Sequence, residues 1–293
     1  KDLLRKYKMF SFIILHYKNI EETIECLTYL QKLDLKDAHI IIVDNNTLST
    51  SEEKLIKRFT KDILKLDQNY GFAKANNKGI EYAKKKYNSK FYIVMNNDVY
   101  ISDKDFLNII SKDYEEYKFA MLGPLITSSS GESVNPFPVI KNIDTLNQEI
   151  KRCEKLISIY SNPFSYWLLK IGIKIKHSIK KPVRPVNGSK ILTKAPLHGC
   201  CLIFSKDYID KYKYPFYNET FLFHEEEFLY QRVIKDNLIS LYDPSLTVFH
   251  KEGSSIKKSN KKERLSKLFR EKTRLKSLNL LLKNMQMGED NDE

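Results

Sequence analysis

Twice in the first hundred positions a run of apolar residues stops abruptly in Asp or Asn. The first is Ile40-Ile41-Ile42-Val43-Asp44-Asn45-Asn46 and the second Phe91-Tyr92-Ile93-Val94-Met95-Asn96-Asn97-Asp98. A short apolar run bounded by turn-forming residues reads as a buried strand. The same pattern predicts strands over 10–15 and 63–66, and a further one over 119–126. Between them, apolar residues recur at a helical spacing. Ile24, Leu27 and Leu30 share one face of a helix over 21–30. A second helix covers 52–59, and a third covers 72–87 through Phe72, Ala75, Gly79, Ala83 and Tyr87. Strands alternating with helices predict an α/β fold, with a Rossmann-like, mostly parallel central sheet flanked by helices and right-handed crossovers.

The pattern changes between 142 and 194, where Tyr166-Trp167-Leu168-Leu169-Lys170-Ile171-Gly172-Ile173-Lys174 mixes apolar residues with lysines and Pro182, Pro185 and Gly188 follow. This reads as an insertion facing the acceptor or a membrane. Regular structure resumes with a strand over 197–205, a helix starting near 225, and short strands over 238–242 and 246–249. The division is a domain over 9–256 carrying the 142–194 insertion, then a basic helical tail over 257–293 with an acidic end at 288–293. No internal repeat is visible.

Ligands of open α/β sheets sit just outside the carboxyl ends of the strands. Asp44, Asn96, Asn97 and Asp98 would therefore face one crevice. Asp44 either forms a strand-end turn or accepts hydrogen bonds from a ribose or base. Asn69-Tyr70-Gly71-Phe72 opens a helix whose first turn could face phosphates. A hard divalent cation takes oxygen ligands, often one carboxylate plus substrate phosphates, and Asp98 can supply that carboxylate. His224-Glu225-Glu226-Glu227 places three acids at a helix start. They either complement the helix dipole or provide a general base. His250 follows a strand end and is a candidate metal ligand.

The net charge of +13 calls for a polyanionic partner: membrane surface, nucleic acid or phosphorylated substrate. Eleven Lys or Arg against three Glu lie between Lys251 and Lys276, which fits either a solvated helix or an element attracted to anionic head groups. Cys26, Cys153, Cys200 and Cys201 lack metal-binding spacing and read as buried thiols of a reducing compartment. No signal peptide is visible, and Lys1 in place of Met leaves room for a preceding segment. Apolar stretches are broken by lysines before spanning length.

Together these blocks resemble the family 2 glycosyltransferases, in particular their bacterial rhamnosyltransferase-like branch. The blocks are His16-Tyr17 at the end of the first strand, Ile41 to Asn46, Asn69 to Ala73 with Asn76, Asn77 and Gly79, and Met95 to Asp98. Gly199 to Ile203 and Phe221 to Glu226 follow, with Arg232 and His250. The resemblance covers roughly 9–256 apart from the insertion. It implies a GT-A fold and an inverting, metal-dependent hexosyl- or deoxyhexosyltransferase using Mn2+ or Mg2+ and a UDP- or dTDP-linked donor. His16, Tyr17, Asp44, Asn46, Asn69, Gly71, Phe72, Asn76, Asn96 and Asn97 would then hold the nucleotide-sugar. Asp98 and His250 would hold the metal, Gly199, Cys200 and Arg232 would contact donor or acceptor sugar, and Glu226 or Glu225 would be the base. Two departures stand out: Asn97 leaves Asp98 the only charge of its triplet, and Glu226 replaces the usual Asp. The implied acceptor is a glycan, lipid-linked, in bacterial surface polysaccharide or lipooligosaccharide synthesis at the inner, cytoplasmic face of the plasma membrane, with an anionic membrane surface as partner and no nucleic acid. The alternatives are a catalytically silent family member and a basic nucleic-acid- or membrane-surface-binding protein. A sugar-nucleotide pyrophosphorylase would need a glycine-rich loop where His16-Tyr17-Lys18-Asn19 stands.

Overall fold

The computed structural model describes residues 9–128, 131, 133–140, 142–176, 190–251 and 260–289. Pro182, Pro185 and Gly188 of the insertion, Lys257 and Lys258 of the tail, and residues 290–293 of the acidic end lie outside them.

The first half follows the hydrophobic pattern. Strand β1 (Phe10–His16) leads to α1 (Ile20–Leu30), β2 (Ala38–Asp44), α2 (Thr50–Ile56), β3 (Asp62–Lys65), α3 (Ala73–Lys86) and β4 (Phe91–Asn96). Helix α2 opens with a capping box: Ser49 accepts from the Glu52 N–H, and Glu52 accepts from the Ser49 N–H at 2.8 Å. Strands β1, β2, β3 and β4 pair in parallel, as the alternation predicts. The short β5 (Val99–Tyr100), α4 (Phe106–Tyr117) and β6 (Met121–Ser128) follow, then α5 (Ile143–Ser161), α6 (Pro163–Lys176), β7 (Cys201–Ser205), α7 (Lys206–Lys211), α8 (Glu225–Lys235), β8 (Ser240–His250) and α9 (Asn260–Glu289). The two short strands expected at 238–249 are one strand, β8, with an irregularity opposite Pro124 and Leu125.

One sheet runs β3-β2-β1-β4-β7-β6-β8-β5. Beyond β4 it is mixed: β7 is antiparallel to β4 and β6, β8 is parallel to β6, and β5 is antiparallel to β8. Both faces are covered, which is why the strands read as continuous apolar runs instead of alternating ones. Phe12, Ile14, Ile93 and Met95 pack with Cys26 and Leu27 of α1 and Phe106 and Ile110 of α4. Ile13, Val43, Tyr92 and Val94 face the opposite layer, with Ile80 of α3 and Leu229 and Val233 of α8. Gly79 lets α3 lie close on the sheet, since a Cβ there would stand 2.5 Å from the Val43 side chain.

A third, smaller core joins what the sequence divides into insertion and tail. Leu146 and Cys153 of α5, Phe228 of α8, and Leu278 and Leu281 of α9 are buried together. Arg274 of α9 binds Glu149 of α5 at 2.5 Å, and the Cys153 thiol donates to the Glu271 carbonyl at 3.1 Å. Helix α9 is thus docked against the body, not held out in solvent.

The loop before α3 is locked to the far half of the chain. Gly71 has φ +77°, and a Cβ there would lie 2.1 Å from the Phe221 carbonyl oxygen. That oxygen accepts from the Phe72 N–H at 2.7 Å. Gly71→Ala therefore meets both a strained backbone and a backbone clash. We expect it to lower unfolding free energy by more than about 1 kcal/mol, read from urea denaturation. An unchanged midpoint would show that the 69–72 loop separates from 221 without cost.

Candidate active site

The parallel register brings the strand ends level. His16 pairs opposite Asp44, and Leu15 opposite Asn96. Asp44 is buried, and its Oδ1 accepts from the Thr47 and Leu48 N–H groups at 2.8 and 3.1 Å. The turn-forming role is real for this oxygen. Asn46 adopts φ +64° in the same turn. His16 is fully buried; its Nδ1 contacts Thr23 Oγ1 at 2.7 Å and its Nε2 has no partner. Burial pushes its pKa down, against the opposing pull of Asp44 and Glu52. Tyr17 is exposed beside it.

Asn45, next to Asp44 in the same polar stop, organises the next loop. Its Nδ2 donates to Asn69 Oδ1 and the Gly71 carbonyl at 2.9 and 3.0 Å, and its Oδ1 accepts from the Tyr70 N–H. Asn69 in turn accepts from the Gly71 N–H. In the first turn of α3, Asn77 clamps the Phe216 backbone through both amide atoms, at 3.0 and 2.9 Å. Asn76 is fully buried with neither amide atom partnered, an arrangement that carries a desolvation cost.

The Asn96-Asn97-Asp98 triplet divides its work. Asn96 borders the main cavity. Asn97 turns back to donate to Thr23 Oγ1 at 2.9 Å, tying α1 to the end of β4. Asp98 is set by the β5–β8 pairing, which places Val99 opposite His250 and lets the Lys251 N–H donate to the Asp98 carbonyl. Its Oδ1 then lies 3.2 Å from His250 Nε2, out of hydrogen-bond alignment. A carboxylate oxygen and an imidazole nitrogen that converge without bonding each other suit a shared cation. Among the described residues no cluster of three or more His, Cys, Asp or Glu side chains could hold a metal. A Mg2+ or Mn2+ ion held by this pair would take its remaining oxygen ligands from elsewhere.

A cavity of about 710 Å³ opens beside this wall, lined among others by Phe72, Asn96, His198, Gly199, Cys200 and Glu225 to Glu227. Consecutive positive φ angles at Phe223 (73°) and His224 (68°) turn the chain sharply into α8, a strained geometry of the kind concentrated at functional sites. The helix then separates its three acids. Glu226 Oε1 accepts from the Gly199 N–H at 3.0 Å. A Cβ at Gly199 would stand 3.0 Å from that same oxygen, so a larger residue there would push the Glu226 carboxylate by a few tenths of an ångström. Glu227 is buried, with Oε1 3.0 Å from His224 Nδ1. Glu225 is buried with Oε1 unpartnered. Burial raises the pKa of Glu225, with a further push from Glu226. Burial also raises that of Glu226, with Glu227 adding to it.

His198 was not foreseen, although it directly precedes the Gly199-Cys200 block. Its ring lies 6.1 Å from that of His250. Its Nδ1 accepts from the Cys200 N–H at 3.1 Å, and burial followed by His250 pushes its pKa down to about 4. It is therefore a neutral imidazole with hydrogen on Nε2, a donor and not a ligand. Cys200 is a buried thiol with its pKa raised by burial. Arg232 is directed elsewhere: its guanidinium donates to Tyr208 Oη and to the Tyr214 and Pro215 carbonyls at 2.8, 3.0 and 2.7 Å. Arg270 and Arg274 of α9 and Thr145 and Glu149 of α5 complete the cavity lining, contributions from segments the sequence had set apart.

Residues 11–175 match the family described as Glycosyl transferase family 2. The match covers more than half of the chain, which belongs to that family. Similar folds occur in three solved structures. They are a mannosyltransferase, PcManGT, from Pyrobaculum calidifontis with GDP-Man and Mn2+ (TM-score 0.53, 10% identity, 86% of this chain and 59% of that one); GalNAc-T7 with UDP, GalNAc and Mn2+ (TM-score 0.57, 10% identity, 85% and 45%); and S. aureus TarS 1-349 (TM-score 0.51, 13% identity, 90% and 71%). The chain thus spans 59% and 45% of the first two. At these identities the likeness is one of fold, GT-A. Comparison with curated proteins gives no significant match.

With Glu226 as the base, its environment would set a pH dependence. A base must be ionised, so transfer should rise with pH through a value above the ordinary glutamate pKa of about 4.3. Glu227→Gln removes a negative charge that raises that pKa, so the acid limb of the rate profile should move to lower pH. An unmoved limb, or one moved upward, would remove Glu226 as the titrating base.

Proposed function

We propose that the chain transfers a hexosyl or deoxyhexosyl group from a UDP- or dTDP-linked donor to a hydroxyl of a glycan acceptor, with inversion. The observation that carries this reading is the Glu226 carboxylate, fixed by the Gly199 N–H on the wall of the cavity that Asn96 and His198 also line. In that position it can take the acceptor hydroxyl proton as the new C–O bond forms at the anomeric carbon. The bond from that carbon to the diphosphate oxygen breaks with its electron pair in the same displacement, so configuration inverts. The strand ends bearing His16, Asp44 and Asn69 to Phe72 hold the nucleoside, and Asp44 Oδ2 remains for ribose or base. Asp98 and His250 would hold Mn2+ or Mg2+, which supplies Lewis-acid stabilisation of the leaving diphosphate. His198 offers a neutral N–H donor on the same wall.

The acceptor side is formed by α5, α8 and α9, and these extend the 9–256 domain with elements of its insertion and of the 257–293 tail. Arg270 on that side suits an acceptor carrying phosphate, whereas Arg274 is already paired with Glu149. This supports a lipid-linked glycan in bacterial surface polysaccharide or lipooligosaccharide synthesis, in a rhamnosyltransferase-like enzyme at the cytoplasmic face of the plasma membrane. No described helix is long and apolar enough to cross a membrane, so the association would be peripheral.

Two substitutions test the assignment. Glu226→Gln keeps shape and hydrogen bonding but cannot take a proton. It should retain the rise in melting temperature with nucleoside diphosphate and Mn2+ while losing about 10²–10⁴-fold in transfer. Full activity in Glu226→Gln with loss in Glu225→Gln would reassign the base. Asp98→Ala should abolish the metal-dependent part of the melting shift. A shift equal to wild type would remove Asp98 from the cation site.

A further inference from the structure

Helix α6 carries its apolar stripe on the wrong side for a folded core. Phe164, Trp167, Leu168 and Ile171 recur at i, i+3, i+4 and i+7, one face of a helix. They are exposed by 64%, 55%, 48% and 41%. The opposite side holds the helix to the body: Tyr166 is buried, and Lys170 pairs with Glu263 of α9 at 2.7 Å. The neighbouring helix α9 adds Leu265 and Phe269, four residues apart and exposed by 45% and 59%. Phe164 stacks on Trp167 at 5.9 Å, so part of the stripe is already preassembled as an aromatic plate. Exposed apolar side chains grouped in this way mark a contact surface.

Charge identifies the occupant. Between Glu154 and Asp207 the sequence holds ten Lys or Arg (Lys155, Lys170, Lys174, Lys176, Lys180, Lys181, Arg184, Lys190, Lys194, Lys206) and no Asp or Glu, and among those with described side chains only Lys170 and Lys206 are paired with an acid, Glu263 and Asp210. Protein interfaces are depleted in lysine at their centres. An aromatic and aliphatic helix face set in lysine-rich sequence is the composition of an element lying in a bilayer interface. The basic residues of α9 are less free for this role, since Lys267, Arg264 and Arg274 are engaged with Glu263, the Tyr160 carbonyl and Glu149.

We propose that α6, with Leu265 and Phe269 of α9, is a docking face for an anionic lipid bilayer, entered by the apolar stripe to head-group depth. Phe269 packs against Phe221 at 6.5 Å, next to the cavity-lining Leu222 and Arg270. Docking there would set the mouth of the acceptor cavity at the lipid surface. The link to the acceptor rests on the glycosyltransferase reading above; the docking itself does not.

Trp167 is the sole tryptophan of the chain and reports on its own burial. With phosphatidylglycerol vesicles, its emission should move to shorter wavelength and be quenched by brominated lipid. Phosphatidylcholine vesicles should give a much weaker response, and high salt should reduce the anionic one. Phe164→Ser, Leu168→Ser and Ile171→Ser are substitutions at exposed positions. Each should weaken vesicle partitioning about tenfold, as expected from losing one inserted apolar side chain. Each should keep the wild-type melting response to nucleoside diphosphate and Mn2+. Trp167 emission unchanged by anionic vesicles, or wild-type partitioning in all three variants, would overturn the inference. So would the same blue shift produced without lipid by raising protein concentration, which would make the face a contact between copies. Docking without sugar transfer would leave this inference standing and remove the catalytic reading; transfer to a soluble acceptor without docking would do the reverse.

Discussion

The 2.7 Å hydrogen bond from the Phe72 N–H to the Phe221 carbonyl joins the two halves of the molecule at the site. On one side are the parallel strand ends and the loop fixed by Asn45. On the other is the strained turn through Phe223 and His224 that starts α8 and presents Glu226. Gly71 permits the approach because no side chain could occupy the space before the Phe221 backbone. Asn77 makes a second crossing through the Phe216 backbone. Together with the shared core, these crossings hold the strand ends and the Glu226 carboxylate in one fixed relation. The proposed displacement needs them held closely, since a misplacement of about 1 Å can cost 10²-fold in rate.

The electrostatics follow from the same geometry. Three consecutive glutamates would repel wherever they were placed, but burial is the larger influence on Glu225 and Glu226. The helix turns each carboxylate to a different neighbour: Gly199 for Glu226, His224 for Glu227, and a buried position without a partner for Glu225 Oε1. The opposite sign applies at His198, where burial and His250 favour the neutral ring. One wall thus carries carboxylates of raised basicity beside a neutral N–H donor, and the Asp98–His250 pair lies just beyond it.

The sequence made the first half of this fold readable because its strands are buried on both faces and its helices are amphipathic. Asp44, Asn96 and Asp98 stand out for the same reason: they are the polar stops of apolar runs. Helix α5 escaped notice, although Leu146, Ile150, Cys153 and Ile157 follow a helical spacing, because it packs on α9 and not on the sheet and so interrupts the strand–helix rhythm. Arg270 and Arg274 were unreadable as site residues, since their position depends on a docking between segments more than a hundred residues apart. The split roles of the triplet, with Asn97 holding Thr23 while Asp98 meets His250, depend on the β5–β8 pairing. Two residues of strand give almost no periodic signal. Arg232 shows the opposite limit: the family resemblance drew attention to it, but three oxygens of the 208–215 segment already occupy it.

The account turns on a nucleoside diphosphate and a divalent cation binding as one unit at the joined strand ends. Calorimetric titration of UDP and dTDP into the intact chain, with Mn2+ or with chelator, measures this directly. The account predicts saturable binding of at least one nucleotide with Mn2+ and a large loss of affinity in chelator. Equal affinity under both conditions, or no binding of either nucleotide with the metal present, would contradict it.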